Sequence, residues 1–160
     1  MTLQLSGRMA RAERTEAGDA CPIERSISLI GRRSTVLLLR EASYGTSRFD
    51  DFVRRTGLTE SVTADQLRRL VAEGLLTKHP YREPAQRQRF EYVLTEAGHD
   101  LVPILLALGS WGEKHRPRSH RIRLVHADCG APIHVEVRCE AGHAPPESEV
   151  AVVLEDRPAT

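Results

Sequence analysis

The chain has 160 residues, 40% of them hydrophobic, with 23 Lys/Arg against 22 Asp/Glu for a net charge of +1. That leaves room for one domain of ordinary size with a small appendage, and enough apolar content for a real core. No apolar run approaches the roughly 18 residues of a spanning helix, and "MTLQLSGRMARAERTEAGDA" lacks the apolar centre of a signal peptide, so a cytoplasmic protein with no membrane partner is expected.

The near-neutral total hides a segregation. Cys21 to Thr95 carries 13 Lys/Arg against 9 Asp/Glu (+4), while Ile122 to Thr160 carries 3 against 7 (−4). A basic body with an acidic tail gives modest support to nucleic-acid binding. Three cysteines without an export signal argue against a disulfide-built scaffold and turn attention to metal binding or thiol reactivity.

Residues 1–20 mix small and charged side chains without an apolar face and read as a mobile arm, helical near its end. "PIERSISLIG" then opens with Pro at a favoured first-turn position and closes on Gly31, with Ile23, Ile27 and Ile30 at helical spacing. "STVLLLREA" predicts a buried helix from about Thr35 to Ala42, broken by "SYGTS". Phe49, Phe52 and Val53 place a third helix over Arg48–Thr56, stopped by Gly57.

Thr59 can cap a fourth helix over Glu60–Glu73, and Gly74 can end it in a left-handed conformation. On its wheel Thr63, Leu67, Leu70 and Val71 share one face, while Ser61, Val62, Asp65, Arg68, Arg69 and Ala72 point the other way. "LLTKHPY" and "RQRFEYVL" have strand character and are separated by a turn at Pro84, which predicts a two-stranded ribbon. Thr95 caps a last helix from Glu96 to about Trp111, carrying Leu101, Ile104, Leu105 and Leu108, with a kink expected at Pro103.

Three helices and a reading helix, then a ribbon and a helix, is the order of a winged helix-turn-helix: mainly α with small β, an α+β class. The expected organisation is the arm (1–20), a DNA-binding and dimerisation domain (21–112), a linker (113–121) and a small β appendage (122–156). In a winged helix the second helix of the turn enters the major groove and the ribbon tip touches phosphate or minor groove. Ser61, Asp65, Arg68 and Arg69, with Gln66 on the flank, form the candidate reading set, because Arg takes guanine bidentately and Gln takes adenine. Arg82, Arg87 and Arg89 in the wing, and Arg48 at the third helix, are candidate phosphate contacts.

"CPIERSISLIG", "LLLREASYGTSRFDDF", "LRRLVAEGLL" and "YREPAQRQRFEYVLTEAGHDLVPILLALGSWG" together resemble the HxlR-type transcriptional regulators over about Cys21 to Gly112. The chain departs from that pattern at Ser34, where the family usually has Trp, and at Thr63, where it usually buries Leu. The resemblance implies a homodimer on a palindromic operator in double-stranded DNA, with the first and last helices as interface: Ile23 and Ile27 with Leu101, Ile104, Leu105 and Leu108. Repression is the expected sense of regulation. Some members use a cysteine at the place of Cys21 as a redox or electrophile sensor. Its position before a helix start favours the thiolate, while plain packing is the other reading.

In the tail, His126 and Cys129 in "VHADCG" and Cys139 and His143 in "RCEAGH" are four soft or borderline ligands in two close pairs. They suit one structural zinc ion per chain, in a zinc-ribbon-like appendage with strands at "RIRLV", "PIHVEV" and "EVAVVL". A metal-free β appendage and a Cys129–Cys139 disulfide are the alternatives. Comparable tails in the resembling family carry Cys-x-x-Cys as the second pair, where this chain has Gly142.

The reading that follows is a sequence-specific, dimeric DNA-binding regulator, thiol-redox responsive through Cys21. The competing reading is a winged-helix protein-interaction module whose basic face meets an acidic partner. No enzyme is expected, because no thiol-protease signature surrounds Cys21.

Overall fold

The computed structural model describes residues 2–11, 21–82, 87–119 and 122–153. In chain order the elements are β1 (Gln4–Leu5), α1 (Arg8–Arg11), α2 (Pro22–Ile30), α3 (Arg33–Ser43), α4 (Phe49–Thr56), α5 (Glu60–Ala72), β2 (Leu76–Tyr81), β3 (Arg89–Leu94), α6 (Glu96–His99), α7 (Val102–His115) and β4 (Ala151–Val152). They fall into two units, one spanning Pro22–His134 and one formed by the chain before and after it.

The larger unit is the winged helix-turn-helix, an α+β fold with a helical core. Leu38 and Leu39 of α3, Phe52 of α4, Leu67 and Leu70 of α5, and Leu75, Leu76 and Leu94 around the wing bury completely or nearly so. These side chains make one contiguous cluster, joined at its edge by Leu29 and Ile30 of α2, by Leu101, and by Val102 and Leu105 of α7. α2 itself has no buried residue.

Local chemistry sets the helix ends. The hydroxyl of Thr59 accepts from the backbone N–H of Val62, capping α5. At the other end Gly74 takes φ 71°, and the N–H groups of Leu75 and Gly74 bond to the carbonyls of Leu70 and Val71. That paired closure satisfies carbonyls the helix would leave orphaned and turns the chain straight into β2.

β2 and β3 are antiparallel, in register from Leu76↔Leu94 to Tyr81↔Arg89. Residues 83–86, with the turn expected at Pro84, lie outside the described residues. A short extended segment borders β3: Tyr92 N–H bonds to the Ser47 carbonyl at 2.9 Å, and Arg48 bridges to Glu91. This fixes the start of α4 beside the wing.

Thr95 ties the wing to the reading helix. Its Oγ1 donates to the Gly74 carbonyl at 2.6 Å and accepts from Gly98 N–H at 3.1 Å. Gly98 passes so close to the Leu75 backbone that an added Cβ would stand 2.2 Å from its carbonyl oxygen. The Leu-Thr-x-x-Gly pattern is thus a close helix-to-strand junction.

The last helix departs from expectation. Where one helix kinked at Pro103 was expected, α6 ends at His99 and α7 begins at Val102 with proline in its first turn. Proline has no N–H for the preceding turn and its ring would strike the carbonyl of residue 99, so the helix restarts and puts proline where no donor is needed.

The chain ends are also arranged differently. Gln4–Leu5, within the expected arm, pairs in parallel with Ala151–Val152, with Gln4 N–H on the Val150 carbonyl at 2.9 Å and Ser6 N–H on the Val152 carbonyl at 3.1 Å. The remaining arm, 12–20, with the helix expected near its end, lies outside the described residues. Of the three strands expected in the tail, the described residues show only a bridge between Val125 and Pro132 and the two-residue β4. The hydrophobic residues there bury too little surface to hold a longer ladder.

Candidate nucleic-acid interface

The outer face of α5 is built by the burial of its inner face. Thr63, Gln66, Leu67 and Leu70 point into the core, which leaves Ser61, Val62, Asp65 and Arg68 in solvent. Arg68 and Asp65 form an ion pair at 2.7 Å, one turn apart and both well exposed. An exposed pair adds little stability, but it holds the guanidinium fork on the outer face.

Gln66 is a correction. Expected on the flank of the reading set, it is 8% exposed and accepts from the Thr35 hydroxyl of α3 at 3.0 Å. Its place on the wheel lies near the core boundary, and a buried hydrogen-bond partner draws the amide inward. Arg69 is redirected as well: it is half-buried, and its Nη2 donates to the Ser28 carbonyl of α2 at 2.9 Å.

The wing presents a mixed basic and aromatic surface. Lys78 Nζ sits 3.7 Å from the centre of the Phe90 ring, and the Arg48 guanidinium lies 4.8 Å from that of Tyr81. Both contacts hold a cation against an aromatic ring of the wing. The sequence reading did not single out Phe90 or Tyr81; the signal was the ladder itself, which sets Lys78 diagonally across from Phe90 on one face.

Arg89, expected on phosphate, pairs with Asp50 at 2.8 Å, and the carboxylate beside it raises its pKa further. Arg82 and Arg87 are exposed on either side of the wing tip. Beneath the wing, burial pushes the Tyr92 hydroxyl pKa up, partly offset by the Arg68 charge.

The six side chains expected at a dimer interface divide in two. Ile23 (68% exposed), Ile27 (55%), Ile104 (48%) and Leu108 (54%) stand in solvent, as does Trp111. Leu101 and Leu105 are half-buried against the chain's own core. Apolar Leu and Val side chains of α3 and α7 also line an open cleft between these helices.

Cys21 is half-buried, Cys129 and Cys139 are exposed, and all three are free thiols, so the disulfide alternative is not formed. In the larger unit His126 Nδ1 lies 3.3 Å from Cys129 Sγ. In the other unit Cys139 Sγ lies 3.6 Å from His143 Nδ1. Among the described residues no group of three or more His, Cys, Asp or Glu side chains stands together as a metal site.

A capped reading helix with an arginine-bearing outer face, followed by a basic wing, defines a winged-helix DNA-binding protein. The HxlR-like helix-turn-helix family model matches residues 29–120, and the chain belongs to that family. The uncharacterized HTH-type transcriptional regulator Rv3095 of Mycobacterium tuberculosis is 37% identical over 123 residues, 76% of this chain and 75% of that protein. YdeP of Bacillus subtilis, another uncharacterized HTH-type transcriptional regulator, is 30% identical over 105 residues, 65% of this chain and 80% of its own.

Among solved structures, PA1607, described as a candidate transcription factor, superposes with a TM-score of 0.75 at 33% identity, covering 88% of this chain and 98% of that one. The redox regulator HypR in its reduced form superposes at 0.54 with 33% identity over 59% of this chain and 93% of its own. The chain is a winged helix-turn-helix transcriptional regulator, and these relatives are regulators rather than enzymes. No helix among the described residues is long and apolar enough to cross a membrane.

Proposed function

We propose that the protein acts as a homodimer on a palindromic operator, with α5 in the major groove, the wing on the flanking backbone, and repression by occupancy as the result. The observation that carries this reading is the outer face of α5, where Asp65 holds Arg68 outward beside Ser61. A preset guanidinium fork suits bidentate contact with guanine, whereas a run of lysines would favour phosphate alone. Arg82 and Arg87, with Lys78 stacked on Phe90 and Arg48 on Tyr81, supply the backbone contacts.

Dimerisation is supported by the exposed stripe of Ile104, Leu108 and Trp111 on α7 and by Ile23 and Ile27 on α2. Apolar side chains this exposed at helical spacing mark a face that associates. Two copies related by a two-fold axis would present two α5 helices to a two-fold symmetric site.

Cys21 carries the second part of the proposal. It is a half-buried free thiol directly before the first turn of α2. We assign it as the residue through which an oxidant or electrophile releases DNA, a reading supported by the likeness to a regulator solved in redox forms. Cys21→Ser should bind DNA as the wild type does and ignore peroxide or quinone. Release of that variant by oxidant would exclude the assignment.

Selection of bound sequences from random duplex DNA tests the main proposal. A palindromic consensus is expected. An acidic protein partner bound in place of any preferred duplex would favour the interaction-module reading instead.

A further inference from the structure

The cleft between α3 and α7 has a volume of about 1020 Å³, and every residue lining it belongs to the larger unit. That is room for a small-molecule ligand. Val36 and Leu37 of α3, Leu105 and Leu106 of α7, and Leu124 and Ile133 of the segment that follows give it apolar walls. The four helical side chains among these are half-buried.

α7 keeps this space open by what it lacks. Gly109 and Gly112 lie inside the helix and line the cleft, neither takes a left-handed φ, and a Cβ built on either would meet nothing within 4 Å. Glycine in a helix interior is destabilising relative to alanine, and the usual reasons to keep it are a left-handed backbone or a close approach of other atoms. Neither holds within this chain. The two glycines weaken α7 and leave a gap that ordinary side chains would fill.

A second observation, independent of the glycines, is the charge around the gap. The described residues lining it include five cations, Arg40, Lys114, Arg116, Arg118 and Arg123, against the carboxylate of Glu113, an excess of four. Arg40 is fixed on α3 by Glu41, whose Oε1 accepts from Nη2 at 2.6 Å and from Nε at 3.1 Å, and counting that carboxylate still leaves an excess of three. The other four cations are exposed while the helical apolar walls are half-buried, so apolar surface lies deeper than positive charge.

We propose that the cleft binds a small organic anion, a carboxylate with an extended apolar body. The body lies in the gap at Gly109 and Gly112 against Leu105 and Leu106, and the carboxylate meets the guanidinium groups, which match its geometry. A second copy of the chain is the competing occupant. Two-fold association on this face would set the same excess of positive charge against itself, which opposes it. The exposed stripe of Ile104, Leu108 and Trp111 lies about 100° round the helix from Leu105, Gly109 and Gly112, so the face proposed for dimerisation borders the cleft at Leu108 and is otherwise separate from it.

The test is isothermal titration calorimetry of the full chain, without DNA, against decanoate, acetate and 1-decanol, so its result stands apart from the operator reading. Decanoate should saturate one site per chain, with acetate and 1-decanol each at least about tenfold weaker, since one lacks the body and the other the charge. Gly109→Leu fills the gap and favours the helix, so its melting temperature should hold while decanoate affinity falls at least about tenfold. Replacing the exposed Arg116, Arg118 and Arg123 together by Gln should weaken decanoate to a similar degree and leave 1-decanol unchanged. Wild type that does not bind decanoate, 1-decanol bound as tightly as decanoate, or undiminished affinity in Gly109→Leu overturns the proposal. A wild-type dimer that ignores decanoate and turns monomeric in Gly109→Leu would give the cleft to a second copy and overturn it as well.

Discussion

The side chain of Arg69, on the flank of the reading helix, donates from Nη2 to the backbone carbonyl of Ser28, 2.9 Å away in α2. α2 ends at Ile30, so its last carbonyls have no intrahelical partner. Gly31 N–H takes the carbonyl of Ile27 and Arg69 takes that of Ser28. A cation is thereby placed at the negative end of a helix dipole. The same bond ties α2, the helix that follows Cys21, to the helix proposed to read DNA.

Arg69→Ala should therefore act as a loss of anchoring. Stability is expected to fall by about 0.5–1.5 kcal/mol in urea denaturation, and affinity to drop by a similar factor on all duplexes tested. Loss confined to one base position of the operator would return Arg69 to the reading set.

Thr63 is completely buried, and among the described residues its Oγ1 has no hydrogen-bond partner. A buried hydroxyl left unpaired costs about 1–3 kcal/mol, and valine has nearly the same shape. Thr63→Val is thus expected to raise the melting temperature by several degrees with DNA binding unchanged. A lowered melting temperature would mean that the hydroxyl is satisfied in solution.

Gly98→Ala tests the junction between α6 and the start of β2. The new methyl would stand 2.2 Å from the Leu75 carbonyl oxygen and 2.9 Å from Leu94 Cδ2. Backbone cannot yield cheaply there, and a destabilisation of about 1–3 kcal/mol is expected by chemical denaturation. A neutral result would show that α6 shifts freely away from the strand.

Leu108→Asp probes the proposed dimer. Leu108 is 54% exposed, so a carboxylate there does not disturb the chain's own core, whereas Leu105 packs partly against it. Sedimentation should show monomers, and operator affinity should fall about 100-fold or more as two linked half-site contacts become one. A dimer that persists in this variant would move the interface elsewhere.

Much of the winged helix was legible because its signals are local. Apolar spacing marks α3, α4 and α5, and Gly57, Gly74 and Thr59 mark their ends as the structure has them. Misses arose where a distant partner decides the outcome. Gln66 turns inward because Thr35 awaits it in α3, and Arg69 leaves the outer face because Ser28 offers a carbonyl. The outer set Ser61, Asp65 and Arg68 follows from periodicity, and the ion-pair partner of Arg68 lies one turn away on the same helix. In the tail, alternating side chains suggested strands, but alternation predicts pairing only where there is a core to pack on.

The most direct test of the account is the affinity of the 160-residue chain for the palindrome expected from selection and for a scrambled duplex, measured across salt concentration with wild type and Arg68→Ala. The account predicts that wild type prefers the palindrome by at least about 10³ at physiological salt. It predicts that Arg68→Ala loses about 1–3 kcal/mol of discrimination at one symmetric base pair while the salt dependence on the scrambled duplex stays the same. Equal affinity of wild type for both duplexes, with one shared salt slope, would contradict it.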